Sequence, residues 1–241
     1  MRTPQTITDL LRLKFGGLGS FPTPEEVLTW FNLLQAGWVH NGDPKKPHAV
    51  LHSGLHSTGF FLCKRVLAYG NLREILAECI VNKLYTAGGE SFMKSIGGVF
   101  GSPYSSILLA GDIARLMEVK VYVPEKDPAD PDGKKMRFKP DDPIPAGTIL
   151  LQIEELVTKF DSGDATKQAI IDGNSNPVEF AKFVGVLVYR PPEIAPELPD
   201  GRTIIPFIQK RVDAWDPKYC PLCSKGSKVV SPKTNWAELT A

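Results

Sequence analysis

The chain has 241 residues, 42% of them hydrophobic, and a formal net charge of +1. That is enough apolar content for one large domain, or one domain with an appendage, and too little charge to call for nucleic acid or membrane as a partner. No apolar run reaches the roughly 20 residues of a membrane span. The N-terminal Met1-Arg2-Thr3-Pro4-Gln5-Thr6 lacks the apolar stretch of a signal peptide. Four cysteines in a chain this long do not make a disulfide framework. Together these readings predict a soluble, cytoplasmic protein.

In chain order, Ile7, Leu10, Leu11 and Leu13 have helical spacing. Thr23-Pro24-Glu25-Glu26 then opens a second helix. Thr23 suits the N-cap, Pro24 the first helical position and the two acids the first turn. Val27, Trp30, Phe31 and Leu34 form its stripe, and Gly37 is expected to end it. His48, His52 and His56 sit four apart. On a helix they would share a face and could bind metal, but Ser53-Gly54 and the β-like residues around them predict two strands and a turn. Leu72, Ile75, Leu76, Cys79, Ile80 and Leu84 give a helix over residues 71–87, stopped by Gly88-Gly89.

Next comes strand, tight loop and helix. Ser95 to Phe100 is the strand, Gly101-Ser102-Pro103-Tyr104-Ser105-Ser106 the loop, and Ile107 to Met117 the helix. Val119 to Val123 is a further strand. It leads into a charged, proline-rich segment, residues 124–139, expected to be a lid, a disordered excursion or a solvated hairpin. The apolar run from Ile149, interrupted by Gln152, ends in Glu154-Glu155. A loop of small and acidic residues follows, then a helix expected from Ala165. This layout suits a phosphate held by loop N–H groups at a helix N-terminus, with the acids free to take a ribose diol or magnesium. Ala181 to Tyr189 is a buried strand, and Thr203 to Phe207 another. Cys220-x-x-Cys223 followed by Gly226 has the shape of half a zinc knuckle. Its missing ligands could come from a second subunit, Cys63 or a histidine.

Three of these segments resemble, in order, the loops of type I phosphoribosyltransferases, and among those the orotate phosphoribosyltransferases. Glu154-Glu155-Leu156-Val157-Thr158, with Ser162-Gly163 after an inserted Lys159-Phe160-Asp161, resembles the phosphoribosyl pyrophosphate signature. Gly101 to Ser106 resembles the pyrophosphate loop, with Ser105-Ser106 in place of a glycine pair. Leu51-His52-Ser53-Gly54 followed by Phe60-Phe61 resembles the base segment.

The resemblance implies an α/β fold, a mainly parallel sheet flanked by helices. It implies a phosphoribosyltransferase-like domain over residues 1–192, within which residues 1–62 are N-terminal helices and base segment. Residues 193–241 form a C-terminal extension with the Cys-x-x-Cys. The implied reaction transfers ribose 5-phosphate from phosphoribosyl pyrophosphate, with Mg2+, to a pyrimidine-like base, orotate first. Glu154 and Glu155 would hold the ribose and Lys126 the leaving pyrophosphate. Thr158, Asp161, Ser162, Gly163 and Asp164 would bind the 5-phosphate. Gly101, Ser102, Tyr104, Ser105 and Ser106 would cradle pyrophosphate. His52, Ser53, Phe60 and Phe61 would meet the base, although one of the two phenylalanines should fill the core, because neighbouring strand residues face opposite ways. A homodimer is implied as well, and Zn2+ is a candidate for Cys220 and Cys223. The departures from the motifs keep a second expectation open: a non-catalytic, nucleotide-binding regulator or scaffold of the same fold.

Overall fold

The computed structural model describes residues 4–51, 53–132, 134–141, 143–191 and 197–240. Five strands make the central sheet: β1 (Ile96–Gly101), β2 (Lys120–Tyr122), β3 (Ile149–Val157), β4 (Glu179–Tyr189) and β5 (Thr203–Gln209). Their spatial order is β5-β4-β3-β1-β2 and every pairing is parallel. A parallel sheet is covered on both faces, which is why β3 and β4 read as near-continuous apolar runs. On one face Leu151, Ile153 and Leu187 pack with Leu72, Ile75, Leu76 and Ile80 of the helix Gly70–Ser95, and with Leu109 and Ile113 of the helix Ser105–Leu116. On the other face Phe100, Tyr122, Leu150 and Ile170 form a smaller cluster. The expected α/β architecture is what the chain adopts. From β1 the chain moves one way to β2 and the other way to β3, β4 and β5. The direction of winding therefore switches between β1 and β3. In open α/β sheets, ligands bind at the carboxyl edge of such a switch.

Local chemistry sets the helix ends. The Glu26 N–H donates to Thr23 Oγ1 at 3.2 Å and the Thr23 N–H to Glu26 Oε2 at 2.8 Å, the reciprocal cap that Thr-Pro-Glu-Glu foretells. Two expectations shift. The helix Pro24–Leu33 ends before Gly37. Gly37 instead opens a strand, where a Cβ would come within 2.8 Å of Phe31. The helix Gly70–Ser95 breaks at Gly89 (φ 73°), as expected, but resumes for one more turn before β1. Of the readings open for residues 124–139, the hairpin is the one formed, Glu125–Lys126 against Met136–Arg137. It is fixed by Arg137 donating to Glu125 and by buried Phe138 in the smaller core cluster.

A second sheet joins distant parts of the chain. Its order is Ala214–Trp215, His56–Ser57, His48–Val50, Val229–Val230. His48 and His56 thus lie on strands around a turn at Ser53-Gly54, with Gly54 at φ 82°. Residues 193–241 contribute β5 to the main sheet and both outer strands of this one. Phe60, on the strand Gly59–Phe61, meets Trp236 edge-on at 6.3 Å. No helix among the described residues is long and apolar enough to cross a membrane.

Candidate active site

The carboxyl ends of β1 and β3 bring two of the predicted loops together. Gly101 ends β1 in close backbone contact. A Cβ there would meet the Ser106 carbonyl oxygen at 2.8 Å and that of Ile153 at 2.9 Å. Only glycine fits such an approach. Ser102, buried, follows at once. Its hydroxyl donates to Glu154 Oε1 at 2.7 Å and lies 3.0 Å from the Thr166 hydroxyl and 3.3 Å from the Ser162 carbonyl. One side chain therefore ties together the β1 loop, the β3 acid and the helix after β3. The helix Ser105–Leu116 begins two residues earlier than the apolar spacing indicates. That brings Ser106 inward, where its hydroxyl accepts from the Glu155 N–H at 3.0 Å and reaches Glu154 Oε2 at 3.4 Å. Tyr104 is two-thirds exposed, and the Pro103–Tyr104 peptide is cis.

Beyond β3 the helix spans Asp161–Gly173, so it starts at Asp161 rather than Ala165. Phe160 makes the earlier start possible. It takes a left-handed backbone (φ 67°) and buries its ring, where a Cβ on Gly163 would lie 2.7 Å from it. The inserted Lys159-Phe160-Asp161 is thus a sharp corner that turns the chain into the helix. Asp161, Ser162 and Gly163 make up the first turn, whose N–H groups have no partner within the helix. Thr158, Asp161 and Ser162 are exposed, as is Asp164. Glu154, Thr158, Phe160, Asp161, Ser162 and Gly163 line a cavity of about 280 Å³ above that turn.

The two glutamates differ sharply. Glu154 is buried and accepts from Ser102, Ser106 and Gln152 Nε2 (2.8 Å). Burial pushes its carboxyl up to about 7, against the hydrogen bonds from Ser102 and Gln152 that favour the anion. Glu155 is also raised by burial, opposed by the Ser105 hydroxyl and by the charge of Lys64. Its Oε2 is buried and has no hydrogen-bond partner. That oxygen is the acceptor this edge leaves open for a ribose hydroxyl or a hard cation. Beneath Glu154 a polar chain continues. Gln152 Oε1 accepts from Arg202 Nη1 at 2.6 Å, and Arg202 Nε donates to Asp200 at 2.7 Å. Burial would raise Asp200, but Lys167 and Arg202 hold its carboxyl down at about 2.

The base segment arrives by another route. Cys63, whose thiol burial pushes well up, lies 3.5 Å from the Glu155 carbonyl. Phe61 is buried edge-on against Phe31 and belongs to the core, whereas Phe60 stays partly exposed. Ser53 is exposed in its turn; His52 lies outside the described residues. Lys126 sits in the hairpin, and among the described residues no hydrogen bond or ion pair joins it to Glu154 or Glu155. Cys220 and Cys223 lie with His48 and His56 beside the second sheet, and Cys63 is not among that group. Four contributors escape a reading of local motifs. Gln152 left a signal, a lone amide in an apolar strand. Arg190 ends β4 just before Pro191, half-buried, with its Nε unpartnered and its charge felt by Cys63 beside Glu155. Thr166 and Arg202 left none, because their partners are far off in sequence.

Solved structures that share this fold include orotate phosphoribosyltransferases. The fold superposes on orotate phosphoribosyltransferase from Aeropyrum pernix with a TM-score of 0.54 at 16% identity, over 76% of this chain and 93% of that one. For the Mycobacterium tuberculosis enzyme of the same name the TM-score is 0.52, also at 16% identity, over 78% and 97%. In sequence, the relatives are orotate phosphoribosyltransferases. That of Carboxydothermus hydrogenoformans is 28% identical over 193 residues, 77% of this chain and 88% of its own length. That of a Nitratiruptor species is 27% identical over 202 residues, 81% and 95%. No protein-family model matches the chain.

Proposed function

We propose that the chain is an orotate phosphoribosyltransferase. It breaks the C1–O bond between ribose 5-phosphate and pyrophosphate and forms a C1–N bond to orotate. The observation that carries this reading is the Ser102 hydroxyl, which joins the β1 loop to Glu154 and to the first turn of the Asp161–Gly173 helix. The 5-phosphate enters the cavity above that turn, where Thr158, Ser162 and free N–H groups meet it. Glu155 holds a ribose hydroxyl, and Glu154 anchors the loops around it. Both the buried, unpartnered Glu155 oxygen and the hard carboxylate donors fit Mg2+. When bound with the substrate, the ion supplies positive charge to the pyrophosphate. Gly101 to Ser106 cradles the leaving group, and Lys126, Lys134, Lys135 and Arg137 of the hairpin supply further charge. Phe60 offers the base an aromatic face. Arg190, beside Glu155 and Cys63, answers the carboxylate of orotate. The enzyme works as a homodimer, as its resemblance implies.

One observation favours the non-catalytic reading. The Ser106 hydroxyl is taken up by Glu155 N–H and Glu154, which leaves less of that loop for pyrophosphate. Titration calorimetry with phosphoribosyl pyrophosphate and Mg2+, run beside a pyrophosphate-release assay on orotate, separates the readings. Binding with turnover supports the enzyme. Binding without turnover on any base selects the regulator, and no binding sinks both.

A further inference from the structure

We infer that His48, His56, Cys220 and Cys223 form a tetrahedral zinc site that clamps the base segment to the C-terminal tail. The sequence offers only half of it, the Cys-x-x-Cys. The fold brings the rest. His48 and His56 stand diagonally on one face of a hairpin, because Val50 pairs with His56 and alternate strand residues share a face. Cys220 caps the short helix Pro217–Tyr219, and Cys223 opens the next, Cys223–Lys225, which ends at Gly226 in the left-handed region (φ 83°). All four cysteines of the chain are free.

The four ligand atoms lie within 4.8 Å of one another. His48 Nε2 is 3.2 Å from His56 Nδ1, 3.4 Å from Cys220 Sγ and 3.5 Å from Cys223 Sγ; His56 Nδ1 is 3.2 Å from Cys223 Sγ. Zinc bonds of about 2.0–2.1 Å to nitrogen and 2.3 Å to sulfur require tetrahedron edges of roughly 3.3 Å between nitrogens and 3.6 Å between nitrogen and sulfur. The four separations given lie within a few tenths of an ångström of those edges. Two thiolates and two imidazoles in a closed tetrahedron select zinc over the hard cations, which take oxygen, and leave no position for a substrate.

A second observation is independent of those distances. Ser227 Oγ donates its only proton to the Lys46 carbonyl at 2.6 Å. At its 2.8 Å contact with His48 Nδ1 it must therefore accept. That puts the imidazole hydrogen on Nδ1 and turns the bare lone pair of Nε2 into the cluster. This is the orienting hydrogen bond that metal-binding histidines carry. His48 and Cys220 are buried, so the site is closed to solvent on two sides. Its place explains its use. His48–Val50 is flanked by the strand from the tail, Val229–Val230, and the hairpin turn carries the base-segment residue Ser53. The inference does not depend on the phosphoribosyl reading.

The test is the metal content of the full chain, purified without chelator, by mass spectrometry. The expected result is about one zinc per chain. Cobalt(II) put in its place should give the intense visible bands of a tetrahedral site with thiolate charge transfer. Cys220→Ser/Cys223→Ser should hold no zinc. Ser227→Ala, with every ligand intact, should bind zinc about 10–100-fold more weakly, since it loses only the orienting bond. If the double variant does not fold, the cobalt spectrum of the unaltered chain and Ser227→Ala still decide. A chain that takes up neither zinc nor cobalt, a cobalt spectrum without thiolate bands, or an unchanged affinity in Ser227→Ala would each overturn the proposal.

Discussion

The crevice at the carboxyl edge of the sheet and the His/Cys cluster in the second sheet are both built from buried polar atoms drawn from distant segments. They differ in what is left over. In the crevice, Glu154 is saturated by Ser102, Ser106 and Gln152, while Glu155 Oε2 and Arg190 Nε are buried without partners. In the cluster, four ligand atoms face one another and nothing points outward. A site that leaves acceptors and donors open forgoes stability and gains chemistry. A closed one does the reverse. The expectation is that damage to the crevice appears in turnover and damage to the cluster in stability.

The strongest way to break that division is Glu155→Gln. Turnover should fall roughly 100-fold or more, the range seen when one group that stabilises developing charge is removed. The unfolding temperature should hold, because the buried Oε2 has no hydrogen bond to lose. A large drop in that temperature would erase the distinction. Next is His48→Ala, read by thermal unfolding with and without added zinc. Losing a structural metal site should cost about 3 kcal/mol, or some 6–12 °C in a chain of this size. Phosphoribosyl pyrophosphate should still bind, and the KM for orotate should rise. Gln152→Leu sharpens the comparison from inside the crevice. It strands Glu154 and the Arg202 guanidinium in a dry interior, so about 2–3 kcal/mol of stability should go in a denaturant titration. The smallest effect is on pH dependence. The folded Glu154 carboxyl titrates near 7 and the unfolded one near 4.5. Between those values the native chain holds a proton that the unfolded chain has lost. Glu154 therefore makes stability fall as pH rises through this window and adds nothing further above it. Glu154→Gln should remove that slope, which denaturant titrations from pH 5 to 8 would reveal.

Much of the crevice could be read in the sequence, because its parts are contiguous: an apolar strand, two acids, a loop, a helix. The sheet followed from the same strands, and the N-cap at Thr23 from the Thr-Pro-Glu-Glu that opens its helix. What escaped depends on backbone geometry or on long-range pairing. Nothing in Lys159-Phe160-Asp161 announces that Phe160 will go left-handed and start the helix at once. That the hairpin at 125–137 would be anchored was not visible, because its anchor, Phe138, is a single aromatic in a charged run. The cluster was half visible. Its cysteines are three apart, but His48 lies 172 residues from Cys220, and spacing cannot reveal a meeting at that distance. The strands and turn expected around the histidines are what the chain forms, and a strand repeat of two aligns His48 and His56 across the hairpin.

The parallel pairing of Val229–Val230 with His48–Val50 also dictates a timetable. As the chain leaves the ribosome, the early hairpin emerges long before either the strands that flank it or the two cysteines. Until then both its edges are bare, ready to pair with another nascent chain. The phosphate crevice can be complete at that moment and the wall beside the base cannot. Whatever loads the metal has to act after Cys223 has emerged.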